Sequence, residues 1–165
     1  PYVAPEIAAE LGVELVGLET LLRSADFVTI CCALTPETRH LNNEERLALI
    51  KPSAYLVNMG RGPIVDQRAL AETLRQRRIQ GAGIDVFEEE PPDPADPLLA
   101  LDNVILSPHA LCWTDECFTG MGRAACQGIV DVASGAIPPN VVNPAVLESD
   151  RFLAKLGRHT RRTAS

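Results

Sequence analysis

Aromatic residues and long apolar runs are both scarce in this chain. Only 4% of its 165 residues are aromatic although 46% are hydrophobic, so its core has to be built mainly from aliphatic side chains, as in many α/β proteins. No apolar stretch reaches the length of a membrane-spanning helix, and the sequence from Pro1 contains no signal-like segment. We therefore expect a cytoplasmic protein without a membrane partner.

Basic residues are too few in most of the chain to favour nucleic-acid binding. Residues 1–150 carry ten basic and 22 acidic residues, a net charge of −12, whereas the five basic residues after Asp150 give the tail a charge of +5. An acidic body disfavours nucleic acid as the main partner. The tail could in principle contact nucleic acid, but we interpret it as the solvated start of a following lobe.

The five cysteines show no spacing that is typical of a disulfide framework. Cys31 and Cys32 are neighbours in a predicted strand and point to opposite faces, which prevents easy pairing. The set His109, Cys112 and Cys117 matches no structural zinc pattern. We expect no metal site and interpret the cysteines as buried, unpaired thiols.

Four apolar runs have the composition of buried parallel strands, continuous rather than alternating. Helical patterns lie between them, and strands that alternate with helices are typical of right-handed βαβ crossovers. The predicted fold is therefore α/β, a doubly wound parallel sheet of Rossmann type. The runs are DFVTICCAL (26–34), AYLVNMG (54–60), GAGIDVF (81–87) and NVILSPH (103–109), with GVELVG (12–17) as a shorter candidate strand.

Three polar residues are placed to cap helices. Asn42, followed three residues later by Glu45, has the form of a capping box. Asp66 can cap the pattern QRALAETLRQRR, and Thr114 can cap the long helical pattern that follows it, with acidic residues in its first turn. We expect helices to begin just after these three residues.

Arg61, Glu90 and His109 each follow the end of a predicted strand. The carboxyl ends of parallel strands lie at one edge of the sheet, where open α/β sheets bind their ligands. Arg61 lies between two glycines, and its guanidinium can bind a carboxylate bidentately. A histidine can take and give a proton near neutral pH. Each residue also has a plainer interpretation: an ion pair of Arg61 with Asp66, a structural histidine, and a solvated acidic run.

Three strings resemble motifs of the D-isomer-specific 2-hydroxyacid dehydrogenases: NMGRGPIVD (58–66), GAGIDVFEEEP (81–91) and SPHALCWTDE (107–116). The segment from Asp26 to Asn58 resembles the central part of that family's NAD-binding domain, and PPNVVNP (138–144) resembles its return toward the substrate lobe. The resemblance implies an NAD-dependent oxidoreductase that transfers a hydride between NAD(H) and a D-2-hydroxy acid or 2-keto acid. It also suggests a homodimer.

The resemblance implies roles for single residues. Arg61 binds the carboxylate and carbonyl oxygen of a small-molecule substrate, His109 transfers the proton, and Glu90 fixes the tautomer of the His109 ring and stabilises its protonated form. Asp85 meets the carboxamide of nicotinamide. The other cofactor-binding candidates, which Arg61 and His109 join, are Met59, Gly60, Ala110, Leu111 and Cys112.

Other acids and histidines receive no functional role. Glu90 is chosen because the family's acid directly precedes a proline, so Glu88 and Glu89 are interpreted as a solvated acidic run. His40 and His159 lie in no motif and are interpreted as structural histidines.

The resemblance places a Gly-rich phosphate loop and a ribose-binding acid before Pro1. We therefore expect a partial dinucleotide-binding domain over residues 1–140, truncated at its N-terminal side, and the start of a return toward the substrate domain over residues 141–165. The string from Gly120 to Ala125 fits G-x-G-x-x-A, but it lies inside a helical pattern, whereas a true fingerprint follows a strand. Pro1 and Tyr2 resemble the residues after a ribose-binding Asp, which favours NAD over NADP.

Two alternatives to an active dehydrogenase stay open at this point. A dehydrogenase-like protein that senses NAD(H) and recruits partners, like the transcriptional corepressors of the family, would keep the same three residues. An inactive truncated product is the other alternative. We expect activity of the longer enzyme rather than of these 165 residues, and the missing lobe would decide which hydroxy acid it uses.

Overall fold

Four short strands form one parallel sheet in the computed structural model, which describes residues 3–163, with side chains described through Gly157. Each of the four long apolar runs supplies one strand, and the sheet order is the order along the chain. The predicted Rossmann-like parallel α/β fold is confirmed. The strands are β1 (Phe27–Ile30), β2 (Tyr55–Asn58), β3 (Gly81–Ile84) and β4 (Val104–Leu106), and one row across them is Val28, Leu56, Ala82 and Val104.

Helices precede, connect and follow the strands. They are α1 (Pro5–Glu10), α2 (Leu18–Ser24), α3 (Glu44–Leu47), α4 (Gln67–Arg75), α5 (Asp115–Ser134) and α6 (Asp150–Thr163). None of the described helices is long and apolar enough to cross a membrane.

Two of the three predicted helix caps are confirmed. The side chains of Asp66 and Thr114 accept a hydrogen bond from the backbone N–H three residues on, at 2.9 and 3.2 Å. The prediction for Asn42 is wrong by one residue, because Asn43 caps α3. Asn42 is buried, and its backbone donates to the carbonyl of Ile64 and accepts from the N–H of Asp66. This pairing with the segment before α4 removes Asn42 from the helix start.

Only one face of the sheet is covered within the described residues. Val28 and Ile30 are buried, whereas Phe27 is 69% exposed and stacks on Tyr55 on the opposite face. The strands were expected to be buried continuously rather than in alternation, and this prediction is wrong for β1 and β2, whose burial alternates. Right-handed crossovers that advance in one direction place their helices on the same face of a sheet. The core on that face consists mainly of Leu22, Leu47, Leu56, Ile64, Leu70, Leu74 and Ile79.

Two further local predictions fail. Residues 12–17 form no strand and are exposed, because a strand requires a hydrogen-bonded neighbour and no described segment pairs with them. The cysteines are not buried, because two of them follow the end of β1 and the others lie in or near α5, which has no buried residue. Cys31, Cys112 and Cys126 are exposed, and Cys32 and Cys117 are half-buried.

The chain forms two compact units, the first ending at Leu111 and the second starting at Cys112. In the second unit α5 and the short turn Pro144–Glu148 both pack against α6. The boundary expected at residue 140 separates functional domains and stays a prediction. Pro1 and Tyr2, which favour NAD in the sequence, lie outside the described residues, as do the side chains from residue 158 onward.

Candidate active site

The turn after β2 carries Arg61. Asn58, the last residue of β2, is buried, and its side chain stabilises this turn through two hydrogen bonds. Its Oδ1 accepts from the N–H of Gly60 at 3.1 Å, and its Nδ2 donates to the carbonyl of Arg61 at 3.2 Å. The Arg61 side chain is exposed, and its Nη1 donates to the carbonyl of Gly60 at 2.7 Å. No described carboxylate forms an ion pair with Arg61, so the plainer pairing with Asp66 does not occur.

Gly62 brings the Arg61 turn against the turn that follows β3. A Cβ atom at Gly62 would lie 1.8 Å from the carbonyl oxygen of Phe87 and 2.5 Å from the backbone nitrogen of Glu88. No side chain fits at these distances, so the two backbones are in direct contact. This contact sets the separation between the turn of Arg61 and the turn of Glu90.

Glu90 and His109 are in hydrogen-bond contact. Nδ1–H of His109 donates to Oε2 of Glu90 at 2.8 Å, and Oε1 of Glu90 accepts from the backbone N–H of Phe87 at 3.0 Å. The hydrogen bond with His109 outweighs burial and, with the Phe87 N–H and the positive charges of His109 and Arg61, lowers the pKa of Glu90 from its usual 4.5. Nε2 of His109 has no hydrogen-bond partner among the described residues, and 41% of this side chain is exposed.

Asp85 holds the turn that carries His109. It follows β3 directly, is 6% exposed, and accepts hydrogen bonds from Oγ of Ser107 at 2.6 Å and from the N–H of Ala110 at 3.0 Å. Burial raises the pKa of Asp85, but these hydrogen bonds and one from the N–H of Leu111 outweigh it, so the pKa lies below its usual value. His109 has a φ of +55°, which few non-glycine residues adopt, and the bonds around Asp85 hold it there.

The other cofactor-binding candidates differ in their surroundings. A Cβ atom at Gly60 would lie 3.2 Å from the carbonyl oxygen of Ile30, so this position is tightly packed from one side. Met59 is 46% exposed and Leu111 is 58% exposed, which leaves both accessible to a ligand. Cys112 is exposed and belongs to the second unit. The structure therefore brings Arg61, Asp85, Glu90 and His109 together at the carboxyl ends of β2, β3 and β4.

The residues that position these groups were not predicted from the sequence. Asn58 and Ser107 are polar residues at the ends of apolar runs, and that location is the feature that could have identified them. Glu88 was expected to be solvated, yet its Oε1 is hydrogen-bonded to Nε2 of His40, and this contact agrees with the structural role expected for His40. Their contact joins segments that are far apart in the chain, so no local pattern predicts it.

We expect Glu90→Gln to change how the stability of the protein depends on pH. The pKa of Glu90 is lower in the folded protein than its usual 4.5, so its contribution to the free energy of unfolding is complete above that value and is lost as the pH falls through the lowered pKa. The difference in stability between the parent and Glu90→Gln should therefore be constant from about pH 7 to about pH 5 and shrink as the pH falls further below 4.5. Urea unfolding across this range measures it.

The matched control for this experiment is Glu89→Gln. Glu89 is exposed and has no hydrogen-bond partner among the described side chains. Its variant should follow the parent at every pH. A difference for Glu90→Gln that is constant across the range would contradict the assignment of a charged Glu90 paired with His109.

Comparisons with known proteins identify the family of this chain. The family model described as D-isomer specific 2-hydroxyacid dehydrogenase, NAD binding domain, matches residues 1–110. A glyoxylate reductase from Aeropyrum pernix is 49% identical over 143 residues, which cover 87% of this chain and 43% of that protein. A second, from Korarchaeum cryptofilum, is 48% identical over 139 residues, which cover 84% of this chain and 42% of that protein.

Solved structures show the same likeness. The D-lactate dehydrogenase from Aquifex aeolicus, complexed with NAD and lactic acid, is 30% identical with a TM-score of 0.74, and the match covers 82% of this chain and 45% of that one. This chain thus spans less than half the length of each of these three relatives.

Proposed function

Because this chain belongs to the family of D-isomer-specific 2-hydroxyacid dehydrogenases, we propose that it is part of an NAD-dependent oxidoreductase acting on a D-2-hydroxy acid and its 2-keto acid. The observation that carries the proposal is the 2.8 Å hydrogen bond between Nδ1 of His109 and Glu90, which leaves Nε2 without a partner among the described residues. The interconversion of a 2-hydroxy acid and its 2-keto acid moves a proton as well as a hydride, and a histidine held in this way can transfer that proton.

His109 is the proton-transfer residue in this proposal. Reduction of a 2-keto acid adds a hydride to the carbonyl carbon and a proton to the carbonyl oxygen. Since Glu90 accepts from Nδ1–H, the ring presents Nε2 to the substrate, and the protonated ring can donate from Nε2 to the carbonyl oxygen. In the oxidation of a hydroxy acid, the same nitrogen accepts the hydroxyl proton. The Glu90 carboxylate stabilises the charged ring in both directions.

Arg61 binds the substrate in this proposal. Its planar guanidinium can hold a carboxylate through two parallel hydrogen bonds, and no described carboxylate occupies it. The turn that carries Arg61 is held by two hydrogen bonds of the Asn58 side chain and packs against the turn that carries Glu90. The binding group and the proton-transfer pair are therefore held on adjoining turns.

The residues at this edge of the sheet also fit NAD, which supplies or accepts the hydride when it is bound. Asp85 is a buried carboxylate that stays ionised through its hydrogen bonds, and a carboxylate can accept from the N–H of a carboxamide. Met59 and Gly60 would line the nucleotide beside Arg61, as would the residues from His109 to Leu111 in the turn after β4.

Arg61→Lys is the variant that tests the substrate-binding role. Lysine keeps the positive charge but lacks the two parallel N–H donors of the guanidinium, so the carbonyl group of the keto acid is no longer oriented. We expect kcat for reduction of the best 2-keto acid to fall and KM for that acid to rise, together lowering kcat/KM roughly a hundredfold. Steady-state kinetics of the full-length protein measure both constants.

Arg68→Lys is the control for this variant, since Arg68 is an exposed residue of α4. Its kinetic constants should equal those of the parent. If Arg61→Lys matched the parent as well, Arg61 would not be the group that binds the carboxylate.

The proposal includes two further expectations, a homodimer and a cytoplasmic location. Support for a dimer comes from α5, a helix of 20 residues of which none is buried. Several of its large apolar side chains are more than half exposed, and a second copy could cover them. They are Phe118, Met121, Ile129 and Val130.

A further inference from the structure

His40 and Glu88 form a second histidine–glutamate pair beside the candidate active site. Nε2 of His40 is hydrogen-bonded to Oε1 of Glu88, and the two side chains are 41% and 31% exposed. His40 lies in the loop between β1 and α3 and has a φ of +49°. Glu88 lies in the turn between β3 and Glu90. The pair therefore joins two loops at the same edge of the sheet.

Each partner is also attached to a turn that carries a site residue. The backbone N–H of His40 donates to the carbonyl of Pro63 at 2.8 Å, two residues after Arg61. Glu88 is two residues before Glu90, and its backbone nitrogen lies directly against Gly62. The His40–Glu88 hydrogen bond therefore links the loop of His40 to the turn of Glu90, and both of them also contact the turn of Arg61.

Gln67 strengthens the attachment on the Glu88 side. Its Oε1 accepts from the backbone N–H of Glu88 at 2.8 Å, and its Nε2 donates to Oδ2 of Asp96. Gln67 is the first residue of α4, so a helix end fixes the backbone of Glu88 while His40 fixes its side chain. Glu88 is held from two directions, although neither its carboxylate nor His40 touches Arg61, Glu90 or His109 by a hydrogen bond.

We propose that His40 and Glu88 are a positioning pair that sets the placement of Arg61 relative to Glu90. This inference rests on the proposed function, because it assigns the pair to the same reaction. An exposed ion pair contributes little to stability, so stability alone gives it a minor role. Its geometric role is larger, since catalysis is sensitive to displacements of about 1 Å in groups that orient a substrate.

The test uses His40→Ala, Glu88→Ala and their double variant in the full-length protein. We expect each to lower kcat for keto-acid reduction roughly tenfold, with a melting temperature close to that of the parent, because an exposed side-chain pair contributes little to stability. The double variant should fall no further than the single ones, since either removes the same contact. Glu88→Gln keeps an acceptor for the His40 N–H and should retain most of the activity.

The matched control is Arg77→Ala. Arg77 forms an exposed ion pair with Asp102 at 2.7 Å, on a loop away from the three turns of the site. Its variant should have the kcat of the parent and a melting temperature similar to that of His40→Ala. The proposal is overturned if His40→Ala has the kcat of the parent, if the losses in the double variant add, or if the melting temperature of His40→Ala falls well below that of Arg77→Ala together with kcat.

His109→Ala in the same assay separates this inference from the proposed function. If His109→Ala is inactive and His40→Ala equals the parent, the positioning role is wrong and the proposed function stands. If the parent itself does not reduce a 2-keto acid with NADH, the proposed function is wrong, and the positioning role is overturned with it.

Discussion

Replacement of His109 by alanine is expected to lower kcat for keto-acid reduction roughly a hundredfold to ten-thousandfold, the usual contribution of a positioned general acid or base. The reason is the loss of the only described side chain that combines a hydrogen bond to Glu90 with an unpartnered nitrogen at this edge of the sheet. Glu90→Gln should cost less, because the amide oxygen can still accept from Nδ1–H while the negative charge is lost. Steady-state kinetics of the full-length protein provide the measurement.

Two controls accompany His109→Ala. Circular dichroism should show an unchanged fold, because the His109 side chain is 41% exposed and lies outside the core. Added imidazole should restore part of the activity, since it can replace the missing proton donor. A fully active His109→Ala would show that His109 is not the proton donor, whereas a parent protein without keto-acid reductase activity would favour a protein that only senses NAD(H).

Gly62→Ala is expected to have an effect of similar size on activity and, in addition, to destabilise the protein. The new methyl group would lie 1.8 Å from the carbonyl oxygen of Phe87, so the turns of Arg61 and Glu90 have to separate. Forcing an atom into a packed site costs about 1–3 kcal/mol or more, and a shift of about 1 Å between reacting groups can lower kcat roughly a hundredfold. Urea unfolding and steady-state kinetics measure the two effects.

A graded series of glycine variants provides the control. An alanine at Gly122, on α5, would meet no atom within 4 Å, and one at Gly60 would meet the carbonyl oxygen of Ile30 at 3.2 Å. Gly122→Ala should equal the parent in activity, and Gly60→Ala should be intermediate. If Gly62→Ala has the stability and kcat of the parent, the close contact between the two turns does not exist in the protein.

Local sequence patterns were sufficient where the structure depends on neighbours in the chain. Asp66 and Thr114 cap their helices as predicted, because a cap needs only the N–H groups two or three residues on. The four long apolar runs form the four strands of the parallel sheet. The strings around Arg61, Glu90 and His109 also indicated the edge of the sheet at which these residues lie, because parallel strands end together.

Local patterns failed where a distant segment competes for the same groups. Residues 12–17 have the composition of a strand, but no described strand pairs with them. Asn42 does not cap α3 as predicted, because its backbone is hydrogen-bonded to the segment before α4. Phe27 and Tyr55 belong to apolar runs, yet they lie on a sheet face that no described helix covers. Their exposure follows from the direction of the crossovers, which no single run encodes.

The sequence by itself determined the strand and helix order, the family, and the residue types of the candidate site, because each of these depends on composition and short-range order. Only the tertiary structure decided how the site residues are held: the 2.8 Å contact of His109 with Glu90, the support of the His109 turn by Asp85, and the direct backbone contact at Gly62. These contacts join residues from separate strand ends. Their distances follow from how the strands are aligned in the sheet, and that alignment exists only once the chain has folded.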